Sequence, residues 1–116
     1  MIADLIRETP VDILKAVVEI CDGHTIFKPE AFLKKGWNKE IVDHFTANYG
    51  SNGECSKEII YNKEGEALLY CRGVYGLFVL YGIAKALGVK YMQCFGRGSQ
   101  ARMIKEALNQ YWEGKA

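Results

Sequence analysis

The sequence predicts an α/β fold: a single three-layer domain over residues 1–116, with a mixed central sheet of about four strands and helices on both faces. Three observations point there. Helix-period segments alternate with short β-rich ones, and the period changes from helical to alternating after Ser56. Residues 89–95, between two helical segments, have the composition of a buried strand. At 116 residues, 49% hydrophobic and 25% charged, the chain matches one globular domain and excludes a disordered tail, a fibre or a disulfide scaffold.

The elements follow in order. Residues 3–9 fit a short edge strand, with Leu5 and Arg7 on the face opposite Ile6. Thr9 as N-cap, Pro10 at the first helical position and Asp12 near the positive dipole end then start a helix. Ile13, Leu14, Val17, Val18 and Cys21 share one face of it, and Asp22-Gly23 ends it. A second helix covers 29–35, with Phe32 and Leu33 inward, and breaks at Gly36. Asn38 caps a third, 39–48, which turns Ile41, Val42 and Phe45 to one side.

After the 50–53 loop, segments 58–62 and 66–71 read as an antiparallel hairpin, with Gly65 supplying the positive φ of the connection. Residues 75–87 carry Leu77, Leu80, Tyr81, Ala84 and Leu87 at helical spacing and stop at Gly88. Strand 89–95 follows, then a turn through Gly96 and Gly98, with Ser99 capping a last helix over 100–112. The expected core includes Ile13, Val17, Leu69, Leu80, Ala84, Met92 and Ile104.

Net charge is +1, so the total carries no preference for nucleic acid or anionic membrane. Its distribution is uneven: through Ala84 the formal charge is −3, and from Lys85 onward it is +4. The last third is thus a basic segment, either a solvated helix face or the neighbourhood of an anionic ligand. The four cysteines, Cys21, Cys55, Cys71 and Cys94, form no closely spaced pair, and only His24 and His44 could complete a metal set, so no metal site is expected. The first ten residues have no apolar run of a secretory signal. The most apolar stretch, 74–88, is too short to span a bilayer and carries Lys85. A cytoplasmic protein without membrane contact is the expectation, with the cysteines as small core residues.

Two glycine turns lie at predicted strand-to-helix junctions, where free backbone N–H groups and a helix N-terminus favour an anion. One is 71–76, Cys-Arg-Gly-Val-Tyr-Gly; the other is 93–99, Gln-Cys-Phe-Gly-Arg-Gly-Ser. Neither ends in the Gly-Lys-Ser/Thr of a P-loop or has a dinucleotide fingerprint. His24 and His44 read as surface or capping residues. Cys71, with no base beside it in sequence, reads as core. Glu66, on the strand entering the first turn, is either a solvated hairpin carboxylate or a base that deprotonates an amine through water.

Residues 6–20, the hairpin 58–71, Arg72-Gly73-x-x-Gly76 with the helix and strand after it, and helix 100–108 together resemble the GNAT superfamily of acyl-CoA-dependent N-acyltransferases. The resemblance implies a GNAT-like fold and transfer of an acyl group from acetyl-CoA, or another acyl-CoA, to an amine by direct attack. It implies that Arg72, Gly73, Val74, Tyr75, Gly76 and Leu77 hold the pyrophosphate, with Glu66 as base and Lys105 or Tyr111 as donor to the departing thiolate. The departures are Tyr75 and Leu77, where the family has small residues, and the lack of closing strands after Trp112. That lack implies a catalytically degenerate form, and a second copy that completes the sheet as a homodimer.

Two other classes stay open. A non-catalytic interaction protein on an acyltransferase-like scaffold fits the same departures. A small helix-turn-helix DNA-binding protein would use 80–89 as first helix and turn, and 90–97 as recognition helix; the glycine and β-formers in the latter make nucleic acid the less favoured partner.

Overall fold

The computed structural model describes residues 1–49, 59–61, 63–65, 67–70 and 74–114. In chain order the elements are α1 (Ile2–Glu8), α2 (Val11–Ile20), β1 (Ile26–Phe27), α3 (Pro29–Lys34), α4 (Lys39–Tyr49), β2 (Ile59–Tyr61), β3 (Ala67–Tyr70), β4 (Val74–Tyr75), α5 (Gly76–Leu87) and α6 (Arg97–Trp112). The architecture is mainly helical, which corrects the three-layer α/β prediction. Instead of a central mixed sheet there are, among the described residues, two separate antiparallel pairs, β1 with β4 and β2 with β3.

The reason is the burial of α5. Gly76, Leu77, Val79, Leu80, Ile83, Ala84 and Ala86 are all buried, so this helix is apolar round most of its circumference and serves as the centre of the molecule. Helices α1, α2, α4 and α6 pack around it, contributing Ile6, Val17, Ile41, Phe45, Ile104 and Leu108 to the core. A helix that fills the interior leaves no place for a sheet. Gly88 closes α5 in the left-handed conformation at φ 70°, and its N–H and that of Val89 return to Lys85 and Ala84 carbonyls.

Two predicted strands are overturned. Residues 3–8 belong to helix α1: Ile2, Leu5 and Ile6 fall at helical spacing, Ile6 is buried, and Arg7 pairs with Asp4 one turn away. Thr9, extended before Pro10, ends that helix, and its hydroxyl donates back to the Leu5 carbonyl instead of capping α2. Residues 89–95 form no strand. Val89 and Tyr91 face inward, while Met92, expected in the core, is 70% exposed and Phe95 entirely so.

Several local expectations hold. Ile13 is half-buried, and Val17, Leu80, Ala84 and Ile104 are buried; the Leu69 side chain lies outside the description. The Asn38 side chain accepts the Glu40 N–H at 2.7 Å, capping α4. The hairpin pairs Ile59 with Tyr70 and Ile60 with Leu69, and Gly65 turns it at φ 81°. Helix α6 starts earlier than expected, with Gly96 at the N-cap and no side-chain cap from Ser99.

Candidate functional site

Of the residues implied to bind acyl-CoA, Arg72 and Gly73 lie outside the described residues, as does Glu66. Val74, Tyr75, Gly76 and Leu77 are buried. Val74 and Tyr75 form β4 and pair with Phe27 and Ile26, and the Gly76 N–H points to the Thr25 carbonyl at 3.5 Å. The start of α5 is occupied by the chain itself. A Cβ on Gly76 would stand 2.6 Å from the Asp22 nitrogen and 2.7 Å from its carbonyl oxygen. Two backbones meet here at a distance that only glycine allows.

Lys105 has a different employment from the one implied. Its ammonium donates to the Cys21 carbonyl at 2.9 Å and the Glu19 carbonyl at 3.2 Å, closing the C-terminal end of α2. Tyr111 is 42% exposed, six residues further along α6 and so about 9 Å away along the axis at 1.5 Å per residue. That separation sets the two implied proton donors on different turns of the helix.

The two glycine turns nevertheless meet. Loop 21–25 lies between the N-terminal ends of α5 and α6. The Asp22 carboxylate accepts the backbone N–H groups of Thr25 at 2.7 Å and His24 at 2.8 Å; the Thr25 bond, seconded by that of His24, holds its pKa below the ordinary value. Gly23 is buried against α6: a Cβ there would overlap the Arg97 carbonyl and stand 2.6 Å from the Gly98 nitrogen. The His24 ring lies beside Gly98, and the Arg97 guanidinium covers the Tyr75 ring at 5.1 Å from its centre. Behind them the Cys21 thiol donates to the Val17 carbonyl, and burial pushes its pKa up to about 12. Such a thiol is protonated and unreactive. His24 thus proves a junction residue, and His44, on α4, sits edge-on to Phe45.

The segment from Val89 to α6, which contains the second glycine turn, is the other feature with chemical content, and sequence reasoning missed what holds it in place. Gln100 is buried, and both ends of its amide bond this loop: its oxygen accepts the Cys94 N–H at 3.0 Å and its NH2 donates to the Met92 carbonyl at 2.9 Å. The rings of Tyr75, Phe78, Tyr81 and, from the segment itself, Tyr91 follow one another at centre distances of 5.9–6.4 Å. Tyr81 is raised in pKa by desolvation first and by Tyr91 second. On this footing the loop turns Met92 and Phe95 out to solvent. Between Lys85 and Lys105 the sequence holds five basic residues and no acidic one. The only early signal was a polar glutamine on the inner face of the last helix, at the position beside Ala101 and Ile104.

Among the described residues no group of three or more His, Cys, Asp or Glu side chains could hold a metal ion, and no helix is long and apolar enough to cross a membrane. No family model matches the chain, and none of the curated proteins or solved structures compared with it matches.

Proposed function

We propose that this chain is a non-catalytic interaction protein whose binding element is the 91–96 loop. The observation that carries the reading is the pairing of full exposure at Phe95 with the buried, doubly bonded Gln100 that fixes the loop's backbone. A large apolar side chain left in water costs solubility, and a buried polar one costs desolvation unless fully bonded. Holding both together is intelligible when an aromatic anchor must be presented in one shape to a partner pocket. The basic character of 85–105 favours a protein partner whose apolar pocket has a carboxylate rim. Occupation of the α5 start by loop 21–25, and of Lys105 by α2 carbonyls, weighs against acyl-CoA transfer at those positions.

The test places a benzophenone photo-crosslinker at position 95 and, as control, at position 11, a residue of α2 that is also exposed. Adducts at 95 and none at 11 are expected, with the attached partner peptide rich in Asp or Glu. Binding of that purified partner should fall at least about tenfold in Phe95→Ala and weaken with added salt. Equal labelling at both positions, or indifference to Phe95→Ala, overturns the reading. Saturable binding of acetyl-CoA in calorimetry would restore the acyltransferase in its place.

A further inference from the structure

We infer that the cleft between α1, α4 and α5 is a binding site for a small monocarboxylic acid with a short apolar tail. The cleft has a volume of about 380 Å³, within the range of small-molecule sites and larger than the grooves along α6. Its floor is made by Ile6, Phe45 and Ala86, all buried, and its sides by Ile2, Ala3 and Gly82. Gly82 decides the shape. A Cβ at that position would stand 2.6 Å from Phe45 Cζ, so the missing side chain lets the Phe45 ring come down onto α5 as a wall.

The walls are fixed before any ligand arrives. Arg7 on α1 donates to the Ala86 carbonyl at 3.0 Å and pairs with Asp4, tying the end of α1 to the last turn of α5. Preorganised apolar walls of this kind take up a ligand at a reduced ordering cost.

Charge selects the ligand class. The lining contributes one cationic side chain, Lys85, and no Asp or Glu; Met1, whose terminal ammonium stands 4.0 Å from Asp4, also borders it. Asp4 on α1 is shared between Arg7 and the terminal ammonium of Met1, one carboxylate oxygen to each. The Lys85 ammonium is exposed and has no hydrogen bond or ion pair among the described residues. An apolar tail in the cleft with a carboxylate at Lys85 satisfies both parts of the surface at once. This site is independent of the 91–96 loop, and either can fail without the other.

The experiment uses the full chain with octanoate, and octylammonium as the probe of opposite charge. Octanoate should raise the Tm by about 5 °C at roughly tenfold excess over its Kd, while octylammonium leaves it unchanged. Methyl resonances of Ile6 and Ala86 should shift on titration. Lys85→Glu should weaken octanoate at least about tenfold, Lys85→Gln should do so less, and Ala3→Phe, which fills the cleft, should block it. Equal effects of the two probes mean adsorption to apolar surface only and overturn the inference. So does octanoate binding that persists in both Lys85→Glu and Ala3→Phe, or no response to octanoate in the unaltered chain.

Discussion

Replacing Gly23 by alanine tests the interlock between loop 21–25 and the N-terminal ends of α5 and α6. The added methyl would overlap the Arg97 carbonyl and sit 2.6 Å from the Gly98 nitrogen, and both obstacles are backbone, which no rotamer change removes. A Cβ on Gly23 would stand 2.1 Å from the Arg97 carbonyl carbon, and since carbon atoms rest at about 3.5–4.0 Å, the loop must withdraw from α6 by roughly 1.5 Å. At that displacement the Lys105 bond to the Cys21 carbonyl, now 2.9 Å, is lost along with its partner to Glu19. Overpacking of this kind combined with a lost helix cap predicts a destabilisation of about 3 kcal/mol or more. For a chain of this length that lowers the Tm by roughly 12 °C. Gly98→Ala is the matched comparison. Its Cβ meets only the His24 ring, Nε2 at 3.2 Å and Cδ2 at 3.5 Å, the far end of an exposed side chain, and alanine improves the helix, so the net change should stay within about 1 kcal/mol. Thermal and urea unfolding followed by circular dichroism reads both. The reasoning is refuted if Gly23→Ala unfolds within about 1 kcal/mol of the unaltered chain, or if the two variants are equally unstable.

Four further outcomes follow from the same geometry. Gln100→Leu should cost about 2 kcal/mol and speed amide exchange at Cys94, measured by NMR, because it strips both bonds from the 92–94 backbone. Lys105→Met, which keeps the stem and removes the donors, should cost about 1 kcal/mol in urea unfolding without altering the fold. Asp22 has a folded pKa below its ordinary 3.8, so its contribution is present above that value and lost as pH falls through the lower folded one. Asp22→Ala should therefore flatten the acid limb of stability against pH, read from urea midpoints below about pH 4. The Trp37 indole N–H is buried with no partner among the described residues, so Trp37→Phe should cost less than about 1 kcal/mol in a melt, despite the smaller ring.

What could be read from the sequence was whatever is decided locally. The α2, α3 and α5 spans, the Asn38 cap, the left-handed Gly88 and the hairpin about Gly65 all rest on residues within a few positions of one another. The failures share the opposite cause. Residues 89–95 look like a buried strand because Val89 and Tyr91 are apolar and aromatic, but Tyr91 packs on Tyr81 and the backbone is held by a glutamine in the next helix. Residues 3–9 satisfy both an alternating and a helical pattern, and packing of Ile6 against α5 chooses the helix. The glycine turns were visible, but their purpose was not. Gly76 and Gly98 invited an anion, whereas Gly76 receives Asp22 and Gly98 lies beside His24 in a junction some fifty to seventy-five residues apart in sequence. No local pattern announces which distant backbone a glycine admits.

The clamps that close the structure have a kinetic meaning. Arg7 reaches Ala86 across 79 positions, and Lys105 reaches Glu19 and Cys21 across 86 and 84. In a mainly helical protein, where most contacts are between near neighbours, these place the final closure among the slowest kind of event, the joining of chain segments far apart in sequence. During synthesis α1 and α2 leave the ribosome well before α5 and α6 exist to cover Ile6 and Val17. The early helices must wait with their apolar faces uncovered, and that interval, rather than the finished fold, is where this chain is most exposed to aggregation and to chaperones.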